Sequence, residues 1–347
     1  MFIDPHVHCR DGKQAYKETI AHALSVADRA GFTAIFDMPN TDPPITRREH
    51  VLERLALAKK TNSPVWYGTY MALTADNKQI EEAVTAYNDI GEVVGFKLYA
   101  GHSVGNIGVT NESEQRSIYS RLRQLRYRGV VVVHCEKENL LRPGLWNPER
   151  PASHAAARPP EAEIASVKDQ IDYALDADFQ GHLHIAHISV PEAVEYVANA
   201  HAMSRTTCGV CPHHIIYDAL RMEQSDGLLY KMNPPLRPQG ARVRLLEQLR
   251  DGMIDWIETD HAPHTLEEKL NKPHMSGIPG LPFYPTFIAW LRTQGFSGQR
   301  IRDITYDNIA RVFEFDIPPR VAQSPSDETC RQLAQEYPFD PYKDVSF

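Results

Sequence analysis

The chain has 347 residues, of which 42% are apolar, and its 37 Lys and Arg against 45 Asp and Glu give a formal net charge of -8. This composition is typical of a folded globular protein, and an acidic chain lacks the basic surface that nucleic-acid binding requires. No apolar run reaches the ~18 residues of a spanning helix, and the first residues do not resemble a signal peptide, so we expect no membrane partner. Five scattered cysteines indicate reduced thiols and a cytoplasmic location.

Short β-branched or aromatic runs alternate with longer stretches of helical periodicity, a pattern typical of βα units. The first unit pairs a predicted strand over 2–8 with a helix near 16–30, and the second pairs a strand over 33–38 with a helix near 47–60. Six further strands are predicted, most of them separated by stretches of helix length: 65–71, 94–99, 130–134, 182–188, 206–210 and 255–259.

Eight parallel strands fit either a closed barrel or a doubly wound sheet, and the two folds differ in where polar residues collect. Polar side chains follow nearly every predicted strand: His6, His8, Arg10, Asn40, Lys97, His134, His187, Asp260 and His264. A barrel spreads its chemistry over many strand ends in this way, and the Gly-rich phosphate motif of a dinucleotide fold is absent after the first strand. We therefore predict an α/β fold, a (β/α)8 TIM-type barrel over residues 1–315, with 316–347 as a C-terminal tail packed on it.

The motif DPHVHCR places His6 and His8 two residues apart on a strand, so both side chains point to one face and can hold one metal ion. An isolated pair could also be two histidines packed on a strand, but His134, His187 and Asp260 follow three further strands. Four imidazoles and a carboxylate suit zinc, and they exceed what one open tetrahedral site can use. The sequence predicts a binuclear metal centre at the C-terminal ends of the strands.

Lys97, in GFKLYA, is the unusual member of this group. An ammonium beside two divalent cations would be repelled, whereas an apolar strand end favours the neutral amine. A neutral amine can react with carbon dioxide, and the resulting carbamate could bridge two ions. A lysine that extends from the strand end to solvent is the alternative, and the spacing leaves both interpretations open.

Nine motifs resemble the ordered motifs of dihydroorotases in the amidohydrolase superfamily, from residue 2 to about residue 318: DPHVHCRDG, DMPNT, GFKLYAG, VVVHCE, IAHIS, CPHH, KMNPPLR, TDHAPH and NIARVFEFDIP. The resemblance implies six metal ligands: His6, His8, Lys97, His134, His187 and Asp260. It further implies two Zn²⁺ per chain, bridged by an N6-carboxylated Lys97 and a hydroxide that attacks the ring amide. Asp260 would also be the catalytic general base and acid.

The family interconverts N-carbamoyl-L-aspartate and L-dihydroorotate in de novo pyrimidine (UMP) biosynthesis, so its site must hold a free carboxylate beside the reacting amide. Arg10 can meet that carboxylate with its guanidinium fork, and Asn40 and His264 can add hydrogen bonds. Taken singly, these three also fit a surface salt bridge, a turn residue and a loop contact. The resemblance makes them the carboxylate-binding set, and it places three more residues at the ring amides: Asn233, Gly277 and Ile278.

The leading prediction is thus a zinc-dependent dihydroorotase, an enzyme with a small-molecule substrate. Hydantoinases and allantoinases share the paired metals but, by the resemblance, lack arginine at the HxHxR position, so Arg10 favours dihydroorotate over uncharged rings. Two alternatives stay open: another cyclic amide hydrolase (hydantoinase, dihydropyrimidinase or allantoinase-like), and a non-catalytic dihydroorotase-like partner protein. A one-metal deaminase on the same barrel would not need Lys97. A homodimer and association with a carbamoyltransferase also stay open.

Two segments depart from the family pattern. Loop 100–112 is expected by its position and glycines to close over substrate, but Ser103 is followed by Val104 and Gly105 where related enzymes often have paired threonines. A small β-sandwich domain is expected to be absent or reduced, because one residue precedes the first predicted strand.

Further histidines could be mistaken for ligands. His182 and His184 alternate with His187, so if His187 faces the metals we expect the other two on the opposite face, packed toward the helices. His213 and His214 follow the seventh strand, and the resemblance gives them no primary ligand role.

Overall fold

The computed structural model, which describes residues 2–102, 106–201, 204–315, 325 and 327–345, is built around eight parallel strands that pair in sequence order. The strands are β1 Phe2–Val7, β2 Phe32–Asp37, β3 Trp66–Ala72, β4 Val93–Ala100, β5 Val130–Cys135, β6 His182–Ile185, β7 Thr206–Val210 and β8 Trp256–Ile257. Beyond β8, an isolated parallel bridge joins His261 to Val7, and His8 N donates to His261 O at 2.8 Å. The ring of strands is therefore nearly closed, and the predicted (β/α)8 barrel is confirmed.

Helices follow the strands, and the longer ones cover the outside of the barrel. Those between β1 and β6 are α1 Ile20–Ala30, α2 Arg48–Lys60, α3 Asn77–Asp89, α4 Glu112–Gln124, α5 Ser153–Ala157 and α6 Pro160–Asp176. Those after β6 are α7 Pro191–Ala200, α8 Pro212–Ile216, α9 Gln239–Asp251, α10 Leu266–Leu270, α11 Tyr284–Thr293, α12 Gly298–Arg302, α13 Asn308–Val312 and α14 Asp327–Ala334. The Thr19 side chain accepts from His22 N at 3.1 Å and caps α1, so this helix begins four residues later than predicted.

Alternate residues along the strands form two separate apolar layers. Ile35, Val131 and Val133 belong to the large outer core between strands and helices. Val132 and Trp256 belong to a smaller inner cluster that fills the barrel. The alternation of a β-strand places successive side chains on opposite faces, so each strand contributes to both layers.

The fourth strand breaks this alternation next to Lys97. The β3–β4 register shifts between the pairs Thr69↔Val93 and Tyr70↔Gly95, so one extra residue of β4 is accommodated there. A Cβ atom on Gly95 would lie 2.5 Å from Val130 O, so only glycine permits this approach to β5. After the irregularity Phe96 faces the outer core, and Lys97 therefore points into the barrel.

Aromatic side chains close the end of the barrel opposite to the strands' C-terminal ends. Phe313 and Phe315, which follow α13, pack on Phe36 with ring centroids 5.1 Å and 5.6 Å away. Phe315 also packs on Trp66, the first residue of β3, at 4.7 Å. Aromatic rings fill this end, and the cavity opens at the opposite end.

Part of the predicted tail lies within the described residues. Leu333 of α14 joins the outer core, Tyr337 donates a short hydrogen bond to Glu18, and Arg29 of α1 pairs with Glu336. Residues 316–324 and 326 lie outside the described residues. None of the helices among the described residues is long and apolar enough to cross a membrane.

Candidate active site and metal centre

A cavity of about 410 Å³ opens where the strands end, between the loops that follow them. Most of the predicted site residues line it: His6, His8, Arg10, Asn40, His134, His187, Asn233, Asp260, His264 and Gly277. Of the remaining two, Lys97 is fully buried and Ile278 lies behind the wall. One concave site therefore collects residues that are up to 271 positions apart in the sequence, between His6 and Gly277.

Asp260 joins the two histidines of the first strand. Its Oδ1 lies 2.9 Å from His8 Nε2 and 3.4 Å from His6 Nε2, and the ligand-type atoms of the three residues lie within 4.8 Å of one another. Asn40 Oδ1 lies 2.7 Å from His8 Nδ1 and so fixes the orientation of that ring. Burial alone would raise the pKa of the Asp260 carboxyl, but His8 and His6 hold it below its usual range, which keeps the carboxylate ionised at neutral pH.

The second histidine pair lies directly beside the first. His134 Nδ1 is 3.2 Å from His187 Nε2, and the ring of His187 lies 5.1 Å from that of His6. Glu136 Oε2 is 3.0 Å from His134 Nε2, so when that nitrogen donates to the carboxylate the lone pair of His134 Nδ1 is directed toward His187. A carboxylate behind an imidazole is the usual support of a metal-binding histidine.

Lys97 lies beneath these histidines with no exposed surface. Its Nζ has no hydrogen-bond partner among the described residues and lies 5.3 Å from the centre of the Tyr99 ring. Burial is the main reason that the pKa of its ammonium falls to about 8. Its side chain therefore does not extend to solvent, which removes the alternative that the sequence had left open.

These residues fit a binuclear metal centre. Three buried nitrogens of the predicted ligands lack hydrogen-bond partners within the described part of the chain: His6 Nδ1, Lys97 Nζ and His187 Nδ1. Such groups are costly unless something binds them. Imidazole and carboxylate donors in this number match divalent ions such as zinc. The assignment of individual residues as ligands stays a prediction.

Three site residues hold left-handed backbone conformations: Arg10, His187 and Asp260 have φ values of 53°, 40° and 47°. Such conformations cost residues other than glycine of the order of 1 kcal/mol or more, and they concentrate at functional sites. All three follow a strand directly or closely, so each left-handed residue turns its side chain out of the strand direction.

Arg10 is buried, yet no carboxylate forms an ion pair with it among the described residues. Its Nη2 lies 3.2 Å from His264 Nε2, and its Nε has no hydrogen-bond partner within the same residues. Burial and the neighbouring cations, Arg10 foremost, keep the pKa of His264 well below its ordinary value, so its neutral ring can accept from the guanidinium. Because a buried guanidinium needs a counter-charge, this corner of the cavity is suited to an incoming carboxylate.

The other predicted substrate residues come from the segments that follow β7 and β8. Asn233 Oδ1 is 3.0 Å from His154 Nε2, which leaves the amide NH₂ of Asn233 as a donor. Gly277 lines the cavity, and its carbonyl accepts from Lys269 Nζ at 2.8 Å. Ile278 instead packs with Met222 and its neighbours behind the wall, and its carbonyl accepts from Ala262 N at 2.8 Å.

His182 and His184 are packing residues that do not line the cavity, but the prediction that both point to the face opposite to His187 is wrong for His184. The ring of His184 stacks on Trp256 inside the barrel, with centroids 4.0 Å apart, and His182 Nε2 lies 2.8 Å from Thr207 Oγ1. The alternation fails because β6 ends at Ile185, and His187 lies beyond it in a left-handed conformation.

Two other groups of residues were considered from the sequence. His213 and His214 are buried and do not line the cavity. Ser103, Val104 and Gly105 lie outside the described residues, so the prediction that their loop closes over substrate stays a prediction.

Several polar residues of the site were not predicted. Glu258 is buried next to His6, Arg158 is paired with Glu136, and Lys17 and Lys231 line the cavity. Glu258 could have been found, because it lies two residues before Asp260, on the face that alternation predicts. Arg158, Lys17 and Lys231 come from loops, where no periodicity marks the direction of a side chain.

Comparison with known proteins agrees with this geometry. Dihydroorotases from Listeria welshimeri and Fusobacterium nucleatum are 33% and 30% identical to the chain, over 98% of it and 79% of each relative. Among solved structures, an L-hydantoinase (dihydropyrimidinase) from Arthrobacter aurescens superposes with a TM-score of 0.82 at 23% identity, over 94% of this chain and 73% of that one. A dihydropyrimidinase from Brevibacillus agri gives 0.77 at 22% identity over the same shares. No family model matches the chain.

The nearly closed parallel barrel, with polar residues gathered at its strand ends, is the fold that the chain shares with these hydantoinases. The sequence relatives narrow the class further. At 33% identity over nearly its whole length, the chain belongs to the dihydroorotase family, hydrolases that act on a cyclic amide bond.

Proposed function

We propose that this protein interconverts N-carbamoyl-L-aspartate and L-dihydroorotate, the ring-closing step of de novo pyrimidine synthesis. The observation that carries the proposal is Arg10, a buried guanidinium without a carboxylate partner in the described structure, next to the histidine and aspartate cluster. Of the cyclic amides considered, dihydroorotate carries a carboxylate on its ring, and that group fits this corner.

Three side chains would hold the carboxylate. Arg10 offers the two parallel N–H donors of its guanidinium. The Oδ1 of Asn40 is already engaged by His8, so its NH₂ group can donate to the carboxylate. His264 orients the guanidinium through the 3.2 Å contact. Asn233 and the Gly277 backbone would contact the ring amides. Ile278 would contribute through its backbone alone, because its side chain is turned away from the cavity.

Two divalent cations, which we propose to be zinc, would occupy the centre. His6, His8 and Asp260 would hold one and His134 and His187 the other, with a carboxylated Lys97 between them. Such ions polarise the amide carbonyl and make water nucleophilic near neutral pH. The buried Nζ of Lys97, which has no hydrogen-bond partner among the described residues, supports carboxylation, because a carbamate could bind the two cations.

Asp260 would move the proton. Its ionised carboxylate can accept a proton from the attacking water and deliver it to the ring nitrogen as the C–N bond breaks; ring closure uses the same steps in reverse. The left-handed backbone at Asp260 and the contact of its Oδ1 with His8 hold the carboxylate at the cavity.

The proposal is tested by following ring opening of L-dihydroorotate by zinc-loaded protein, with hydantoin, dihydrouracil and allantoin in parallel. We expect turnover of dihydroorotate alone, loss of turnover after chelation, and recovery with zinc. Asp260→Asn should lower kcat by roughly 10³-fold, within the range of general acid–base catalysis. Turnover of uncharged rings alone would show another cyclic amide hydrolase, and metal-bound but inactive protein would show a non-catalytic partner.

A further inference from the structure

The interior of the barrel just below the cavity contains a carboxylate that the proposed reaction does not use. Glu258 follows β8 by one residue and is 1% exposed. A buried carboxylate is costly unless donors surround it, so its partners show what it does. They come from three different strands and include two of the proposed metal ligands.

Glu258 contacts both halves of the predicted metal centre. Its Oε1 lies 3.7 Å from His6 Nδ1, and it accepts a short hydrogen bond from the backbone N–H of His187. His6 faces Asp260 with its other ring nitrogen, Nε2, at 3.4 Å. The carboxylate thus lies behind His6, on the side opposite to the nitrogen that faces Asp260. At 3.7 Å it is too far for a hydrogen bond and acts on the imidazole through its charge.

The contact with His187 explains its unusual backbone. His187 has a φ of 40°, which costs free energy and needs a compensating interaction. The hydrogen bond from its N–H to Glu258 supplies one, and the left-handed turn directs the imidazole to His134. A single carboxylate therefore supports one ligand through its ring and another through its backbone.

Glu258 is itself held in place by neighbours that are not metal ligands. His184 Nε2 lies 3.2 Å from Oε2, and Trp256 Nε1 donates to the same oxygen at 3.3 Å. The space for the carboxylate comes from Gly209 on the adjacent strand, where an added Cβ would lie 2.7 Å from the Glu258 carboxyl carbon. His184 and Trp256 are stacked, so the support is rigid.

We infer that Glu258 is a positioning residue of the metal centre, one that presets His6 and His187 for the two cations. The inference rests on the proposed binuclear site. Glu258 does not line the cavity, so it acts through these two histidines and not on the substrate.

The test compares zinc affinity in full-length wild type and Glu258→Gln, measured by competition with a chromogenic chelator. The amide keeps the size of the side chain but loses the charge that His6 faces, so we expect zinc binding to weaken by about 10- to 100-fold. Activity should fall at limiting zinc and recover at saturating zinc. Glu163→Gln is the matched control, because Glu163 is equally buried and its hydrogen bonds go to Ser189, Val190 and Arg237, none of which is a proposed ligand. It should leave zinc affinity unchanged.

A double variant restores a carboxylate at this place from the neighbouring strand, β7. In Gly209→Glu combined with Glu258→Ala, the new side chain can reach the same place, since two bonds separate its Cβ from its carboxyl carbon. We expect zinc affinity to recover relative to Glu258→Ala alone. If Glu258→Gln does not fold, the comparison of the double variant with Glu258→Ala tests the inference in its place. No recovery in the double variant would count against the inference.

Equal zinc affinity in wild type and Glu258→Gln would overturn the inference and leave the proposed reaction untouched. A wild-type protein that binds no zinc would instead overturn the proposed metal centre and the inference with it.

Discussion

Two arginines line the cavity, and their surroundings differ. Arg158 donates through Nε to both oxygens of buried Glu136, at 2.9 Å and 3.1 Å. Arg10 is more deeply buried than Arg158 but donates to a neutral histidine. The first arginine is already neutralised within the fold, whereas the second is left for a ligand.

The carboxylates near Arg10 confirm that this difference is built into the fold. Asp37 pairs with Arg54, Glu268 with Lys17, and Glu18 with His261. Asp260 contacts His8 and His6. Each is committed to another partner, so none is free to neutralise the guanidinium. An unpaired buried charge is costly to stability, and sites accept such costs where binding needs them.

Removing Arg10 should have the largest effect on activity. Arg10→Met should lower kcat/KM for dihydroorotate by roughly 10³-fold, because truncating one partner of a buried charge pair costs several kcal/mol. The measurement is ring opening under saturating zinc, with zinc content determined alongside. An unchanged kcat/KM would assign the carboxylate to another part of the cavity.

Removing the paired arginine should act on stability instead. Arg158→Met leaves the Glu136 carboxylate buried with His134 as its remaining side-chain partner, which should cost roughly 3 kcal/mol in the free energy of unfolding. Chemical denaturation measures this cost, and the preference for dihydroorotate over uncharged rings should persist. Loss of that preference would mean that both arginines recognise the substrate.

The part of the protein around Arg10 should also lose folding stability at low pH. Burial opposes ionisation of Glu18, but His261, His22 and Tyr337 lower its pKa to about 2. A lowered folded-state pKa contributes stability that is present above the unfolded value of about 4.5 and lost as the pH falls toward 2. We expect roughly 2 kcal/mol of stability to disappear in that window in wild type but not in Glu18→Gln, by denaturation at several pH values. Parallel curves for the two proteins would contradict the assignment.

The smallest effect should come from Lys17, which lines the same cavity but is already paired with Glu268 at 2.8 Å. Lys17→Met should raise KM for dihydroorotate by about threefold, and the difference should shrink in high salt because screening weakens such interactions. Steady-state kinetics at two salt concentrations measures this. A loss as large as that of Arg10→Met would place Lys17 in the carboxylate-binding set.

Most of the site could be predicted because its residues follow strands, and a strand's direction fixes where its end lies. His6, His134 and Asp260 lie where their strand positions require. The prediction for His184 was wrong because it extended the alternation of side chains past the end of β6. The left-handed residue His187 interrupts that alternation. Arg158 was missed because its partner Glu136 is 22 residues away on another element, and no local pattern links them.

The sequence by itself determined the eight βα units, the residue types gathered at their ends and the family, because period-two alternation and motif spacing are local properties. Only the tertiary structure decided which charges are neutralised. Arg10 and Arg158 are the same residue type, and their difference depends on the distances to carboxylates from distant parts of the chain. Burial makes those distances matter, since a charge removed from water must find its partner within a few ångströms or remain open to a ligand.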